Sequence, residues 1–189
     1  MLYWIGTLIM LLAAYLVFRV IVRQEYLNRG SLSFFATALE FVIFGFHANL
    51  PYLYLGVPWP QLPPLPDNLT LQIVGLSIGI IGLLTTLLIM AHLGFGTTIG
   101  QKPDEVRQTG PYRWTRNPQI LSFGAMILGL GVLYPSIQTA AWVLLYAAIT
   151  HMMVLTEEEH LKNQFGDKYL EYCSRVPRYL GRSKGILSE

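Results

Sequence analysis

From Leu2 until Arg19 the chain carries no charged side chain, and a run of that kind points to a helix that lies in lipid. Four more apolar stretches follow, at about Leu32 to Val57, Leu69 to Phe95, Pro118 to Leu133 and Ile137 to Leu155. A spanning helix needs about 20 mostly apolar residues, with a lower limit near 17. The first three stretches meet that length. The fourth is short, so it either stands nearly upright or extends into the loop before it. The expected architecture is an all-α integral membrane protein of about five transmembrane helices. Composition agrees, because 13% of residues are charged against roughly a quarter in soluble domains.

All thirteen lysines and arginines fall in three segments. Arg19, Arg23 and Arg29 follow the first helix. Lys102, Arg107, Arg113 and Arg116 lie between the third and fourth. Lys162, Lys168, Arg175, Arg178, Arg182 and Lys184 follow the fifth. The proline-rich loop 58–67 has none, nor has the Tyr134-Pro135-Ser136 turn. With five spans the positive-inside rule puts the N-terminus outside and the C-terminus in the cytoplasm. Met1-Leu2-Tyr3-Trp4 offers no basic n-region, so the first stretch reads as a retained helix and not as a cleaved signal. The chain is read as one membrane domain, 1–189, with three helices in 1–95 and the polar segments in 96–189. A net charge of +2 is too small to point to nucleic acid. Cys173 stands alone, so no internal disulfide forms. His92 has no partner at metal-ligand spacing, so no metal is expected.

Polar residues concentrate in the loop from Gly100 to Asn117 and the tail from Thr156 to Glu189. Asn117-Pro118 reads as a helix start, with Asn as N-cap and Pro in the first position. Its free amides and partial positive charge suit an anionic group, although a plain transmembrane cap would read the same way. Glu157, Glu158 and Glu159 fall at the expected end of the fifth helix, where they oppose the helix dipole. A function is therefore considered for the first two, and Glu159 is read as solvated charge. Leu161 and Phe165 share a face. Gly166 is expected to end the helix and Asp167 to start another, lying in the membrane interface. Glu40, His47 and His151 are ionisable residues inside spans, and such residues face a protein interior or a water-filled cavity. Glu40 and His47, seven apart, form either a structural pair or a functional one. Gly75, Gly79, Gly124, Gly129 and Gly131 have the spacing of helix-packing glycines.

Taken together, the two polar segments carry a resemblance. They read Gly110-Pro111-Tyr112-Arg113-Trp114-Thr115-Arg116-Asn117-Pro118, then an apolar hairpin, then Glu157-Glu158, Leu161, Phe165-Gly166, Tyr169, Tyr172 and Val176-Pro177-Arg178. This pattern resembles the isoprenylcysteine carboxyl methyltransferase family and is similar to membrane phospholipid N-methyltransferases, over about Lys102 to Arg178. The resemblance implies an integral membrane enzyme that uses S-adenosylmethionine to methylate a lipid-like or small apolar acceptor at the cytoplasmic face. By the same resemblance Val106, Arg107, Tyr112, Asn117, Pro118, Gln119, Ile120 and Glu157 hold the cofactor. The phospholipid enzymes add Gly129, Gly131 and Glu158, and the acceptor end falls at Arg116 and Met153. An amine or thiol acceptor needs a base, for which His151 and Glu158 are the candidates. The chain departs from the family pattern at three positions: Asn117 replaces a histidine, Ile120 a tyrosine and Met153 the arginine of the carboxyl methyltransferases. Two other readings stay open. One is a membrane reductase of the sterol-reductase type with a nicotinamide cofactor. The other is a non-enzymatic scaffold or small transporter with Glu40 and His47 as a polar pathway.

Overall fold

The computed structural model describes residues 1–61, 63–93 and 105–181. Phe95, Gly100, Lys102, Arg182, Lys184 and the end of the tail lie outside the described residues. Among the described residues the regular structure is entirely helical. Helix α1 (Leu2–Tyr15) continues without a break through a π-helical stretch (Leu16–Val22) into α2 (Arg23–Arg29). The first helix therefore runs past Val22, and Gly30 ends it in the left-handed conformation at φ 68°. Next come α3 (Phe34–Asn49), the short α4 (Tyr52–Leu55), α5 (Leu69–Leu93) and a 3-10 turn (Gly110–Arg113). The chain then forms α6 (Pro118–Leu133), α7 (Ile137–Phe165) and α8 (Asp167–Arg175).

Among the described residues four stretches are long and apolar enough to cross a membrane: Leu2–Arg29, Phe34–Leu55, Leu69–His92 and Ile137–Phe165. Helix α6 is the shorter apolar one. Its 16 residues extend about 24 Å, less than the hydrocarbon thickness of about 30 Å. It lies antiparallel along α5, with Gly75 against Leu133 and Gly129, and Gly82 against Ser122 and Met126. Glycines let the two backbones touch. A Cβ on Gly129 would overlap the Gly79 backbone and sit 2.6 Å from the Gly75 carbonyl oxygen. Thr86 on α5 also donates to Ser122 Oγ on α6 at 2.8 Å.

Helix α7 is the central element. Its Gln138 carbonyl accepts from the Tyr3 hydroxyl at 2.6 Å. Trp142 Nε1 donates to the His47 carbonyl at 2.8 Å, and the Tyr146 hydroxyl donates to the Ile120 carbonyl at 2.9 Å. Farther along, Thr156 Oγ1 donates to the Phe18 carbonyl in the π stretch at 3.0 Å. Phe18, Ile149 and Val154 are fully buried in this seam, whereas Leu88 and Leu144, 72% and 70% exposed, face outward as lipid-facing residues do. Ser136 caps α7 by accepting from the Thr139 amide at 3.0 Å. The helix reaches Phe165, beyond the apolar stretch that ended near Leu155. The three glutamates consequently sit within it and not at its end, which corrects the expectation that they oppose its dipole. At the opposite end of the bundle the proline-rich loop ties helix ends together. Tyr134 donates to the Pro63 carbonyl, Gln72 to the Pro66 carbonyl and Trp59 Nε1 to Asn49 Oδ1.

Candidate functional site

The two polar segments meet. The Arg116 amide donates to the Pro177 carbonyl at 3.0 Å. Thr115 Oγ1 and Asn117 Nδ2 both donate to the Arg178 carbonyl, at 3.1 and 3.0 Å. The Tyr172 hydroxyl on α8 donates to the Tyr112 carbonyl at 2.8 Å. Beneath these bonds Val106, Tyr169, Tyr172 and Val176 form an apolar cluster against Leu161 and Phe165. Gly166 ends α7 at φ 55° and lets α8 fold back. Asn117 stands at the N-cap position with Pro118 first in the helix, but its side chain makes no cap. It reaches Arg178 instead, so the expected Asn cap is replaced by a tertiary bond. The amides of the first turn, which have no intrahelical acceptor, are thereby left uncapped.

Successive residues on a helix point about 100° apart, so the three glutamates face three surroundings. Glu158 is clamped between two guanidiniums, Arg116 at 3.1 Å and Arg178 at 2.7 Å, with its side chain 13% exposed. Arg116 also donates to Cys173 Sγ at 2.6 Å. Glu159 pairs with Arg23 through hydrogen bonds of 3.0 and 2.8 Å from Nε, with Arg19 nearby at 3.8 Å. This glutamate, read from the sequence as solvated charge, is an ion-pair partner of the first helix. Glu157 faces a cavity.

That cavity has a volume of about 610 Å³, inside the range of about 300–1,000 Å³ usual for small-molecule sites. Of the residues singled out in the sequence, Val106, Arg107, Tyr112, Arg116, Asn117, Gln119, Ile120, Met153, Glu157 and Glu158 line it. The structure does not bring Pro118, Gly129, Gly131 or His151 to its wall. Gly129 is pressed on α5, and Gly131 faces Val143 and Thr139 of α7. His151 is exposed, with Nδ1 3.0 Å from the Tyr179 hydroxyl. Glu157 makes no hydrogen bond or ion pair among the described residues. Tyr112 stands within reach of its charge. Burial, reinforced by Glu157 and partly opposed by Arg107, pushes the Tyr112 phenol up to about 12. It therefore stays a neutral donor at any ordinary pH.

His47 and Glu40 are not a pair. His47 is buried against α7, stacked on Trp142 with ring centroids 5.0 Å apart and Nε2 3.1 Å from the Trp142 carbonyl oxygen. Glu40 lines the cavity, and it too makes no hydrogen bond or ion pair among the described residues. The sequence reading missed His160 and Tyr26, which stack at 4.1 Å in the cavity wall. Spacing held a signal for His160, since it and Leu161 follow Glu157 by three and four residues and so share its face. Tyr26 had no such signal, because only the fold brings the first helix here.

The chain is similar to known proteins over much of its length. The profile of the phospholipid methyltransferase family matches residues 70–168, which include α6, α7 and Glu157. The chain is 29% identical over 121 residues to the nickel-cobalt-cadmium resistance protein NccN of Alcaligenes xylosoxydans xylosoxydans, covering 64% of this chain and 53% of that protein. It is 30% identical over 160 residues to the cobalt-zinc-cadmium resistance protein CzcN of Cupriavidus metallidurans, covering 84% of this chain and 67% of that protein. The chain thus spans about half the length of NccN and two thirds of CzcN. No solved structure matches it. With a profile match over just over half of its 189 residues, the chain belongs to the phospholipid methyltransferase family.

Proposed function

We propose that the cavity binds S-adenosylmethionine from the cytoplasm and that the protein transfers its methyl group to a lipid-like or small apolar acceptor. The observation that carries this reading is Glu157: a carboxylate without a hydrogen-bond or ion-pair partner among the described residues, facing an apolar-walled cavity that the uncapped start of α6 also lines. The donor set fits the cofactor. Glu157 can accept from its amine or ribose hydroxyls, the α6 amides can receive its carboxylate, and Tyr112 with the apolar wall can hold its adenine. When bound, the cofactor supplies a methyl group on positively charged sulfur. The chain's own task is to hold an acceptor in line with that group and to keep water away, and positioning of this kind is worth several kcal/mol of barrier. Neither base named from the sequence is free for the work, because Glu158 is clamped by Arg116 and Arg178 and His151 points away from the cavity.

Isothermal titration of the purified protein with S-adenosylhomocysteine tests the proposal, in detergent and again in lipid discs. Binding is expected in both, and Glu157→Ala should abolish it while the protein still melts cooperatively. Absence of binding by the wild type in both settings overturns the reading. NccN and CzcN are named for metal resistance, which offers a cellular readout. If this chain shares that trait, wild type but not Glu157→Ala restores growth in cobalt or cadmium.

A further inference from the structure

Helix α3 lies outside the family match of residues 70–168, yet it builds one wall of the cavity through Thr37, Glu40, Phe41 and Phe44. A carboxylate inside a membrane span is costly unless it meets a partner, water or a ligand. Of the arginines at this end of the bundle, Arg116 and Arg178 are engaged with Glu158, Arg19 and Arg23 with Glu159, and Arg107, which lines the same cavity, donates to the His92 carbonyl at 3.4 Å. His47, two turns along α3, is turned to Trp142. The groups whose charge or dipole meets Glu40 are instead a second carboxylate, Glu157, and the Tyr26 phenol. Glu40 and Glu157, which have no ion-pair partner among the described residues, face one low-dielectric space and repel each other, and a cation between them relieves that repulsion.

The cavity also opens sideways. Helix α5 packs on α6, and α3 packs on α1 and the π stretch, whereas among the described residues α3 and α5 share no packed face. Phe41 and Leu87 line the cavity from these two helices and are still 64% and 53% exposed. Phe41 and Leu87 thus join the outward-facing surface to the cavity wall, the route that an apolar molecule in the bilayer would take.

We propose that Glu40 is the acceptor-binding carboxylate of the site. It receives the protonated amine of an amphipathic acceptor that enters between α3 and α5, with the acceptor's apolar part along Phe41, Phe44 and Leu87. This inference rests on the methyl-transfer reading and adds to it a division of labour, with Glu157 on the cofactor and Glu40 on the acceptor. Glu40 takes one proton from the ammonium group. The freed nitrogen lone pair then forms the new C–N bond to the sulfonium methyl. The C–S bond breaks with its electron pair remaining on sulfur, which leaves as a neutral sulfide. The product nitrogen carries the positive charge, and Glu40 passes its proton to water as the product departs.

Calorimetry of the full chain in a neutral maltoside detergent tests the assignment, with octylamine, octanoate and octanol as probes. The wild type is expected to bind octylamine at least about tenfold tighter than either of the others. Glu40→Gln should erase that preference and leave S-adenosylhomocysteine affinity within a fewfold of wild type, and Glu40→Asp should keep the preference. Three results overturn the assignment: no amine preference in the wild type, a preference that survives Glu40→Gln, or equal loss of both ligands in Glu40→Gln. Should that variant not fold, carbodiimide labelling of the wild type decides. Octylamine should protect Glu40 and S-adenosylhomocysteine should not, and the reverse pattern overturns the assignment. A wild type that prefers octylamine through Glu40 but never binds S-adenosylhomocysteine would retain the amine site and remove methyl transfer from it.

Discussion

Glu157, Glu158 and Glu159 are chemically identical and consecutive, so direction alone separates them, and direction sets three different outcomes for the same substitution. Glu158 is 13% exposed between two guanidiniums, and removing one partner of such a pair leaves buried charge behind. Glu158→Ala should therefore destabilise the fold by about 3 kcal/mol, read as a clear fall in melting temperature. Glu159 pairs with half-exposed Arg23, and solvent-screened pairs contribute little, so Glu159→Ala should melt close to wild type. Glu157 has no hydrogen-bond or ion-pair partner to lose among the described residues. Glu157→Gln should melt at or slightly above the wild-type temperature and bind no S-adenosylhomocysteine. Equal losses of stability across the series would contradict the three environments. Tyr112 gives a pH-dependent counterpart. Its folded value of about 12 lies above the ordinary 10.0, so burial of the neutral phenol stabilises the fold fully below pH 10 and that contribution fades as pH rises toward 12. An ultraviolet difference titration of wild type against Tyr112→Phe should show one phenol ionising near pH 12. Ionisation near 10 would place Tyr112 in water. Sequence alone paired Tyr112 with Glu157, through the resemblance. It assigned Arg116 to the acceptor because nothing local to residue 116 says that Glu158, one residue past Glu157, will close on it.

At the scale of elements, the α5–α6 face separates a packing role from a cofactor role for the Gly129-Leu130-Gly131 triplet. A methyl group at Gly129 meets backbone on α5, which cannot yield, whereas one at Gly131 meets the Val143 and Thr139 methyl groups at 3.1 and 3.7 Å, which can turn aside. Overpacking of a rigid contact costs about 1–3 kcal/mol. Gly129→Ala should lower the melting temperature and, because α6 carries Asn117 to Ile120, weaken S-adenosylhomocysteine binding with it. Gly131→Ala should do little to either. A Gly131→Ala protein that melts normally but loses the ligand would put the triplet at the cofactor after all. The spans themselves were legible, since apolar runs in 1–95 and 118–155 became helices in the expected order. The helix ends were less so. α7 outruns its apolar stretch because Arg19 and Arg23 of the first helix and Arg116 and Arg178 of later segments neutralise its glutamates. Asn117 leaves its cap because the Arg178 carbonyl is within 3.0 Å. Both effects arise from distant residues, which no local pattern encodes.

For the whole molecule, the fold turns a count of charges into a direction. Arg19 and Arg23 reach Glu159, Arg116 and Arg178 reach Glu158, and Arg175 reaches Gln108, so three segments far apart in sequence share one end of the bundle. The other end is closed by the proline-rich loop on Asn49, Tyr134 and Gln72, and that loop has no lysine or arginine. The chain runs between the two ends of the bundle an odd number of times, and α6, antiparallel to α5, is one of those passes despite its length. It can span because α5 shields one of its sides and a short helix is accommodated by local thinning of the bilayer at modest cost. Basic residues are retained on the cytoplasmic side during insertion, so the cavity end should face the cytoplasm, where a water-soluble cofactor can reach it. Paired cysteine variants in a Cys173→Ser background measure this directly. Asp67→Cys, in the loop, should react with a membrane-impermeant maleimide in intact cells. Lys168→Cys, exposed on α8, should react only after permeabilisation. If Lys168→Cys reacts in intact cells and Asp67→Cys does not, the bundle is inverted, Glu157 opens away from the cytosolic cofactor supply, and methyl transfer at this cavity loses its donor.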